Sequence, residues 1–243
     1  MVVESLPGIY WIKLKWVNVY LWKHENGYTL IDAGLPWQAG DIFEAFEKLH
    51  LSSGDLKRIL VTHGDIDHIG ALAALKAKTG AEIVSHGAEK PIIELSHGRP
   101  LRENLVGAVY SPFYRIVISV LLKPVIVDRI VLDKEVLPEE GLKVVYTPGH
   151  TPGHVCYYHP ERKVLFSGDL FMHTGGRIRN PFALFTPDPV GVEESQRKVA
   201  ALEIDSVFFG HGEPILEDAS SEIRKVTPSP LKRSRGASGA AKS

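Results

Sequence analysis

The stretch Thr62-His63-Gly64-Asp65-Ile66-Asp67-His68-Ile69-Gly70 places two imidazoles and two carboxylates within six residues. Side chains of these types are the usual ligands of a borderline divalent ion. The plainer reading is a charged turn with two surface histidines, and matching residues downstream count against it. His150 and His154 lie in Tyr146-Thr147-Pro148-Gly149-His150-Thr151-Pro152-Gly153-His154. Asp169 ends Val164-Leu165-Phe166-Ser167-Gly168-Asp169, and His211 follows Val207-Phe208-Phe209-Gly210. Ions held by such a set would make a nucleophile from water at neutral pH, so hydrolysis is the chemistry to expect.

Apolar runs must deliver these groups. Arg58 to Val61 reads as a buried strand and the segment after Gly70 as a helix over 69–79, closed by Gly80. The four polar side chains then sit on the loop between them. Each of the other runs likewise ends in a possible ligand beside glycine, where loops on a rigid scaffold carry function. Upstream, strand-like segments at 9–15, 17–22 and 28–31 surround His24-Glu25-Asn26-Gly27, and Asn-Gly between apolar runs signals a hairpin. Residues 41–50 carry apolar positions at 42, 43, 46 and 49, an amphipathic helix. A strand over 81–85 ends at His86, which reads as structural.

Later strands are expected near 128–132, 142–147, 154–159 and 163–168, and helices over 188–202 and 216–226. Residues 97–127, broken by Pro100, Pro112 and Pro124 and rich in aromatics, fit no β/α alternation. They read as a helical insert, a lid or pocket wall whose apolar excess could also join two copies as a homodimer. The segment 171–189, with Gly175-Gly176, Arg177 and Arg179, reads as a long loop beside the site. Its arginines could hold an anionic part of a substrate, and His173 could reach the mouth. Residues 1–226 thus read as one domain and 227–243 as a disordered basic tail.

Composition bounds the function. A formal net charge of −1 gives no field to draw the chain to nucleic acid or an anionic membrane. The single cysteine, Cys156, lies in an apolar strand and reads as inert core. The first residues lack a basic region followed by an apolar core, so a cytoplasmic location is expected.

Taken together, these stretches resemble the metallo-β-lactamase-fold hydrolase superfamily, with its HxHxDH loop, TPGHTPGH-like stretch, SGD-like stretch and final histidine after a strand. The match runs from Asp32 to His211, with one departure: Asp65 replaces the second histidine of the loop. The resemblance implies an α+β fold, an αββα sandwich, and two divalent metal ions, zinc or in part iron or manganese. By the same resemblance His63, Asp65 and His150 hold one ion, Asp67, His68 and His211 the other, and Asp169 bridges them. Asp67 and Asp169 are the implied catalytic pair, acting with a hydroxide shared between the ions. Asp32 and His154 are implied as supporting residues behind the ligands. The implied activity is hydrolysis of a small ester-type substrate: carboxylic ester or lactone, thioester, or phosphoester.

Flavodiiron reductases share the carboxylate in place of the loop's second histidine, which leaves a di-iron redox enzyme as the alternative. A flavin domain would then be expected after His211, for which this chain has no space. A nuclease of the same fold would show a basic face or an RNA-binding insert, against the charge of −1.

Overall fold

In the computed structural model, which describes residues 1–96, 101 and 105–227, alternation along the strands decides the layering. The first half contains strands β1 (Val2–Leu6), β2 (Ile9–Lys13), β3 (Asn18–His24) and β4 (Gly27–Ile31), helix α1 (Ala39–Lys48) and strand β5 (Leu56–Leu60). Helices α2 (Ile66–Ile69) and α3 (Leu72–Thr79), strand β6 (Glu82–His86), helices α4 (Lys90–Leu95) and α5 (Leu105–Leu121) and strand β7 (Arg129–Val131) follow. The second half contains β8 (Val136–Leu137), β9 (Leu142–Tyr146), β10 (Val155–His159), β11 (Val164–Gly168), β12 (Met172–Thr174), β13 (Arg177–Arg179), α6 (Pro189–Ala200), β14 (Ser206–Phe209) and α7 (Ala219–Val226).

Strands β1 to β7 form one sheet in sequence order, antiparallel up to β4 and parallel from β4 to β7. The second sheet runs β14-β11-β10-β9-β8, with β11 and β14 parallel. Because side chains alternate, each central strand feeds two cores. On β3, Val19 and Leu21 join Ile42, Phe46, Leu72 and Leu75 under the first helical layer. Tyr20 and Trp22 on the same strand meet Phe166, Phe208 and Tyr157 between the sheets. Leu165, Val207 and Phe209 face outward to Val192 and Val199 of α6 and Ile223 of α7. Three cores between four layers make the expected αββα sandwich.

Several boundaries differ from the sequence reading. The expected helix over 69–79 is two helices. Gly70 lies so close to Pro36 that a Cβ there would stand 2.4 Å from the proline ring, and the chain turns at Gly70–Ala71. The hairpin turn centres on Glu25–Asn26, with His24 paired to Gly27. Residues 171–189 are not a plain loop. They hold the β12–β13 hairpin, whose Gly175 and Gly176 at φ +62° and +69° make the two-residue turn that twisted hairpins favour. A 3-10 turn at Ala183–Phe185 follows. In the expected insert, α5 carries Pro112 in its interior and anchors through Ile118 to the first core. Residues 97–100 and 102–104 of that insert, and all but Thr227 of the expected tail, lie outside the described residues. Among the described residues no helix is long and apolar enough to cross a membrane.

Candidate metal centre

The site forms where both sheets deliver strand ends to one edge of the sandwich. Beyond β5 come His63, Asp65, Asp67 and His68, with His68 on the short helix α2. The β9–β10 turn supplies His150, the bulged end of β11 supplies Asp169, and β14 leads to His211. Three sets of ligand atoms converge, each within 4.8 Å: His63, Asp65 and His150; Asp67, His68 and His211; and His63, His68 and Asp169. Asp169 stands between the first two sets. Its Oδ2 is 3.7 Å from His150 Nε2 and 3.2 Å from His211 Nε2, and its Oδ1 is 3.3 Å from His68 Nε2.

The imidazoles are aimed by what their outer nitrogens touch. His68 Nδ1 donates to Asp32 Oδ2 at 2.8 Å, and His211 Nδ1 donates to the Trp16 carbonyl at 2.6 Å. Thr62 Oγ1 gives its proton to Asp32, so His63 Nδ1, 2.9 Å away, must donate to Thr62. Thr186 Oγ1 likewise donates to the Phe182 carbonyl, so His150 Nδ1 donates to Thr186 at 3.3 Å. All four rings therefore turn Nε2 inward, the tautomer that metal-binding histidines need. Asp32 also accepts from the Thr62 amide at 2.8 Å and sits at φ +62°, a conformation unusual for a non-glycine residue.

The donor set fits divalent ions. His63 Nε2 is buried without a hydrogen-bond partner, and His68 Nε2 and Asp169 Oδ1 face each other at 3.3 Å, outside hydrogen-bond geometry, which is costly in a folded core unless something else binds them. Electrostatics agree. Burial pulls His68 down, but Asp169, Asp32 and Asp67 outweigh it and hold its pKa well above the ordinary value. Against burial, Asp169 raises His211 to about 10. Burial, with the His68 and His150 charges, drives His63 well below its usual range. Burial pushes Asp169 up, and the His211 and His68 charges more than reverse it. Carboxylates and imidazoles packed this closely hold one another's protons until cations replace them.

His154 stands behind the ligand sets. Its Nε2 accepts the Asp169 amide proton at 3.1 Å, so its Nδ1 donates to Thr147 Oγ1 at 2.8 Å, and burial first of all lowers its pKa to about 3. His173 turns away: its Nδ1 meets the Glu213 carbonyl at 2.7 Å. Arg177 and Arg179 are exposed on β13 and neither lines the cavity over the site. His86 stacks on Tyr146 with ring centroids 4.6 Å apart, a structural place as expected.

The sequence reading passed over Glu89. This wholly buried carboxylate accepts the Gly64 amide at 2.8 Å through Oε2 and the Gly153 amide at 2.6 Å through Oε1. It ties the loop of His63 and Asp65 to the loop of His150. A Cβ on Gly64 or Gly153 would come within 2.5 or 2.6 Å of those oxygens, so both glycines are needed for the approach. No spacing marks Glu89, whereas the threonines left a trace: Thr62 and Thr147 each open a ligand-bearing loop.

A cavity of about 520 Å³ opens above the ligands. Its floor includes Asp65, Asp67, His150, Asp169 and His211, and its walls include Trp16, Ile66, Tyr114, Met172, Phe182 and Phe185.

A family model described as the metallo-beta-lactamase superfamily matches residues 16–211. Over 237 residues the chain is 29% identical to a probable metallo-hydrolase of Bacillus subtilis, YflN, covering 87% of this chain and 86% of that protein. Over 202 residues it is 30% identical to the hydroxyacylglutathione hydrolase GloC of Haemophilus influenzae, covering 79% and 83%. A metallo-beta-lactamase family protein from Thermus thermophilus superposes with a TM-score of 0.72 at 24% identity, over 92% of this chain and 79% of that one. A subclass B3 metallo-beta-lactamase of Bradyrhizobium japonicum does so with a TM-score of 0.67 at 21% identity, over 92% and 88%. At those identities the two structures share the fold.

Proposed function

This chain belongs to the metallo-β-lactamase superfamily of metal-dependent hydrolases, and we propose that it is a dinuclear hydrolase of ester-type bonds. The observation that carries this reading is the placement of Asp169, within 3.7 Å of ligand nitrogens of both triads. His63, Asp65 and His150 would hold one ion, Asp67, His68 and His211 the other, and Asp169 both. When bound, two divalent ions supply Lewis acidity and lower the pKa of water toward about 7.

The chain's own residues do the rest. Asp67 is half-buried on the cavity floor, 3.3 Å from His211 Nε2, so its carboxylate can take a proton from water and return it to the leaving group. Water adds to the carbonyl carbon, the carbon–oxygen bond breaks, and the alcohol leaves with that proton. Asp32, His154 and Glu89 keep the ligands aimed throughout. The apolar walls exclude bulk water around the scissile bond.

Elemental analysis should find about two ions per chain. Asp169→Ala should lose metal and drop turnover by about three orders of magnitude or more. Near wild-type turnover in that variant would overturn the two-ion reading.

A homodimer through the insert would need a surface. Val109, Phe113, Ile116 and Val120 lie along one exposed face of α5, each at least 64% exposed. A second copy packing there would cover the stripe. Ile116→Asp should then shift sedimentation to the monomer with metal content intact, and an unshifted profile would exclude this face as the contact.

A further inference from the structure

The walls of the cavity carry information that its metal ligands do not. Trp16 and Phe182 stand beside the ligand-bearing floor with 66% and 61% of their surface in water. Exposed aromatic surface of that size next to a reactive centre is what a bound molecule covers. Neither ring is placed by chance. Trp16 holds φ +78°, a costly conformation for a bulky residue, and its carbonyl accepts the His211 Nδ1 proton. Phe182 offers its carbonyl to Thr186, the hydroxyl that accepts from His150. The backbone under each of these rings is therefore held by the same contacts that aim a ligand. On the third side Tyr114 of α5 packs on Phe185, ring centroids 5.9 Å apart. Phe113, its neighbour, points outward.

The charges on the lining point the same way. Apart from the histidines, the charged groups among the described lining residues are the carboxylates of Asp65, Asp67 and Asp169, all within the ligand sets of the floor, so the walls themselves carry no charged side chain. Arg177 and Arg179, the anion clamp expected from the sequence, are turned to solvent on β13, and Lys15 is engaged with the Trp16 ring, its Nζ 4.4 Å from the ring centroid. A substrate with a carboxylate or phosphate on the flank against Phe182, Phe185 and Tyr114 would set that charge against apolar rings with no counter-charge among the described lining residues. A neutral, apolar flank would bury against them.

We infer that the substrate is an uncharged carboxylic ester or lactone whose apolar chain lies against Trp16, Phe182, Phe185 and Tyr114. This rests on the ester-hydrolase reading above and narrows it, away from glutathione-type thioesters and phosphoesters. Each methylene that the walls cover should raise kcat/KM about three- to fourfold, the fold-change expected of burying one such group. The gain should come mostly through KM, because wall contacts are shared by ground and transition states.

The test uses the metal-loaded full chain and p-nitrophenyl esters from acetate to octanoate, with an ω-carboxylate octanedioate monoester as the charged match. The expected result is a steep rise with chain length and at least a tenfold loss for the charged match. Phe182→Ala should flatten the rise while metal content and thermal midpoint hold, and Tyr114→Ala should flatten it with metal content intact. A second readout needs no turnover: N-butyl octanamide should bind the wild type in calorimetry, and bind Phe182→Ala more weakly. Turnover that ignores chain length, or prefers the charged ester or S-lactoylglutathione, would overturn the inference and leave the ester-hydrolase reading standing. Absence of turnover on every ester, lactone, thioester and phosphoester by protein with both ions bound would overturn both.

Discussion

Asp65 is a carboxylate where the resemblance implied a histidine. A carboxylate oxygen is a harder ligand than imidazole, and Asp65 Oδ2 lies 3.1 Å from His150 Nε2 within the first triad. With Asp65, Asp67 and Asp169 ionised, two dications leave one net positive charge, and a histidine at 65 would leave two. The added carboxylate should favour iron or manganese in that half of the site. Elemental analysis of wild type and Asp65→His grown in one medium should show iron or manganese in the first and a shift toward zinc in the second. Zinc alone in both would show that ligand hardness does not select the metal. Glu89 makes a second test at this scale. Glu89→Ala would leave the Gly64 and Gly153 amides buried without acceptors, about 1–3 kcal/mol for each. Chelator competition should then find metal affinity lowered about 10- to 100-fold, as for other residues that orient ligands. Unchanged affinity with lowered stability would confine Glu89 to folding.

At the scale of elements, the sheets must stay in register for strand ends to meet. Arg58 on β5 links them. Its Nε donates to Glu82 of β6 at 2.6 Å, and its Nη1 donates at 2.6 Å to Glu140, just before β9 of the other sheet. Glu140 is buried and also accepts from Thr29 Oγ1 of β4 at 2.7 Å. Arg58→Ala strands that carboxylate away from water. Breaking a buried pair from one side costs about 3–5 kcal/mol, so denaturant unfolding should show a loss of that size. A loss under about 1 kcal/mol would mean that the pair behaves as a surface ion pair. Helix α5 presents Tyr114 to the cavity and Phe113, about 100° further round the helix, to solvent. Substitutions at these adjacent positions should separate substrate preference from association.

For the whole molecule, the three stacked cores offer a probe of global opening. Cys156 lies on β10 with no exposed surface, and burial above all pushes its thiol up to about 12. Only thiolate reacts with alkylating agents, so the native protein should resist iodoacetamide at pH 8. Labelling should appear only in step with denaturant unfolding, because β10 is central in its sheet. Rapid labelling of the folded protein would reveal local opening around β10 beside the His150 loop.

The sequence by itself determined the fold family and the residues that converge at its edge. Ligand types sit at short spacing, and each follows an apolar run whose end a strand must present to the same side. Residue type and spacing marked the candidates, and the family resemblance implied the set His63, Asp65, Asp67, His68, His150, Asp169 and His211 among them. Local patterning also placed α1 and most strands of both halves, but not β1, β8, β12 or β13. Tertiary structure alone decided the rest. Whether a polar residue such as Glu89 is buried depends on what packs over it, and its partners, Gly64 and Gly153, lie 25 and 64 positions away. The choice between Phe113 and Tyr114 is a matter of helix rotation against the core, and neighbours of similar character carry no mark of it. The same holds for Trp16, Phe182 and Phe185, apolar residues among many until the fold sets them around one cavity. Arg177 and Arg179 lie close to Asp169 in sequence, yet the turn at Gly175–Gly176 sends them to solvent. Type and spacing carry the chemistry, and the surroundings that choose a substrate arise from contacts between segments far apart in the chain.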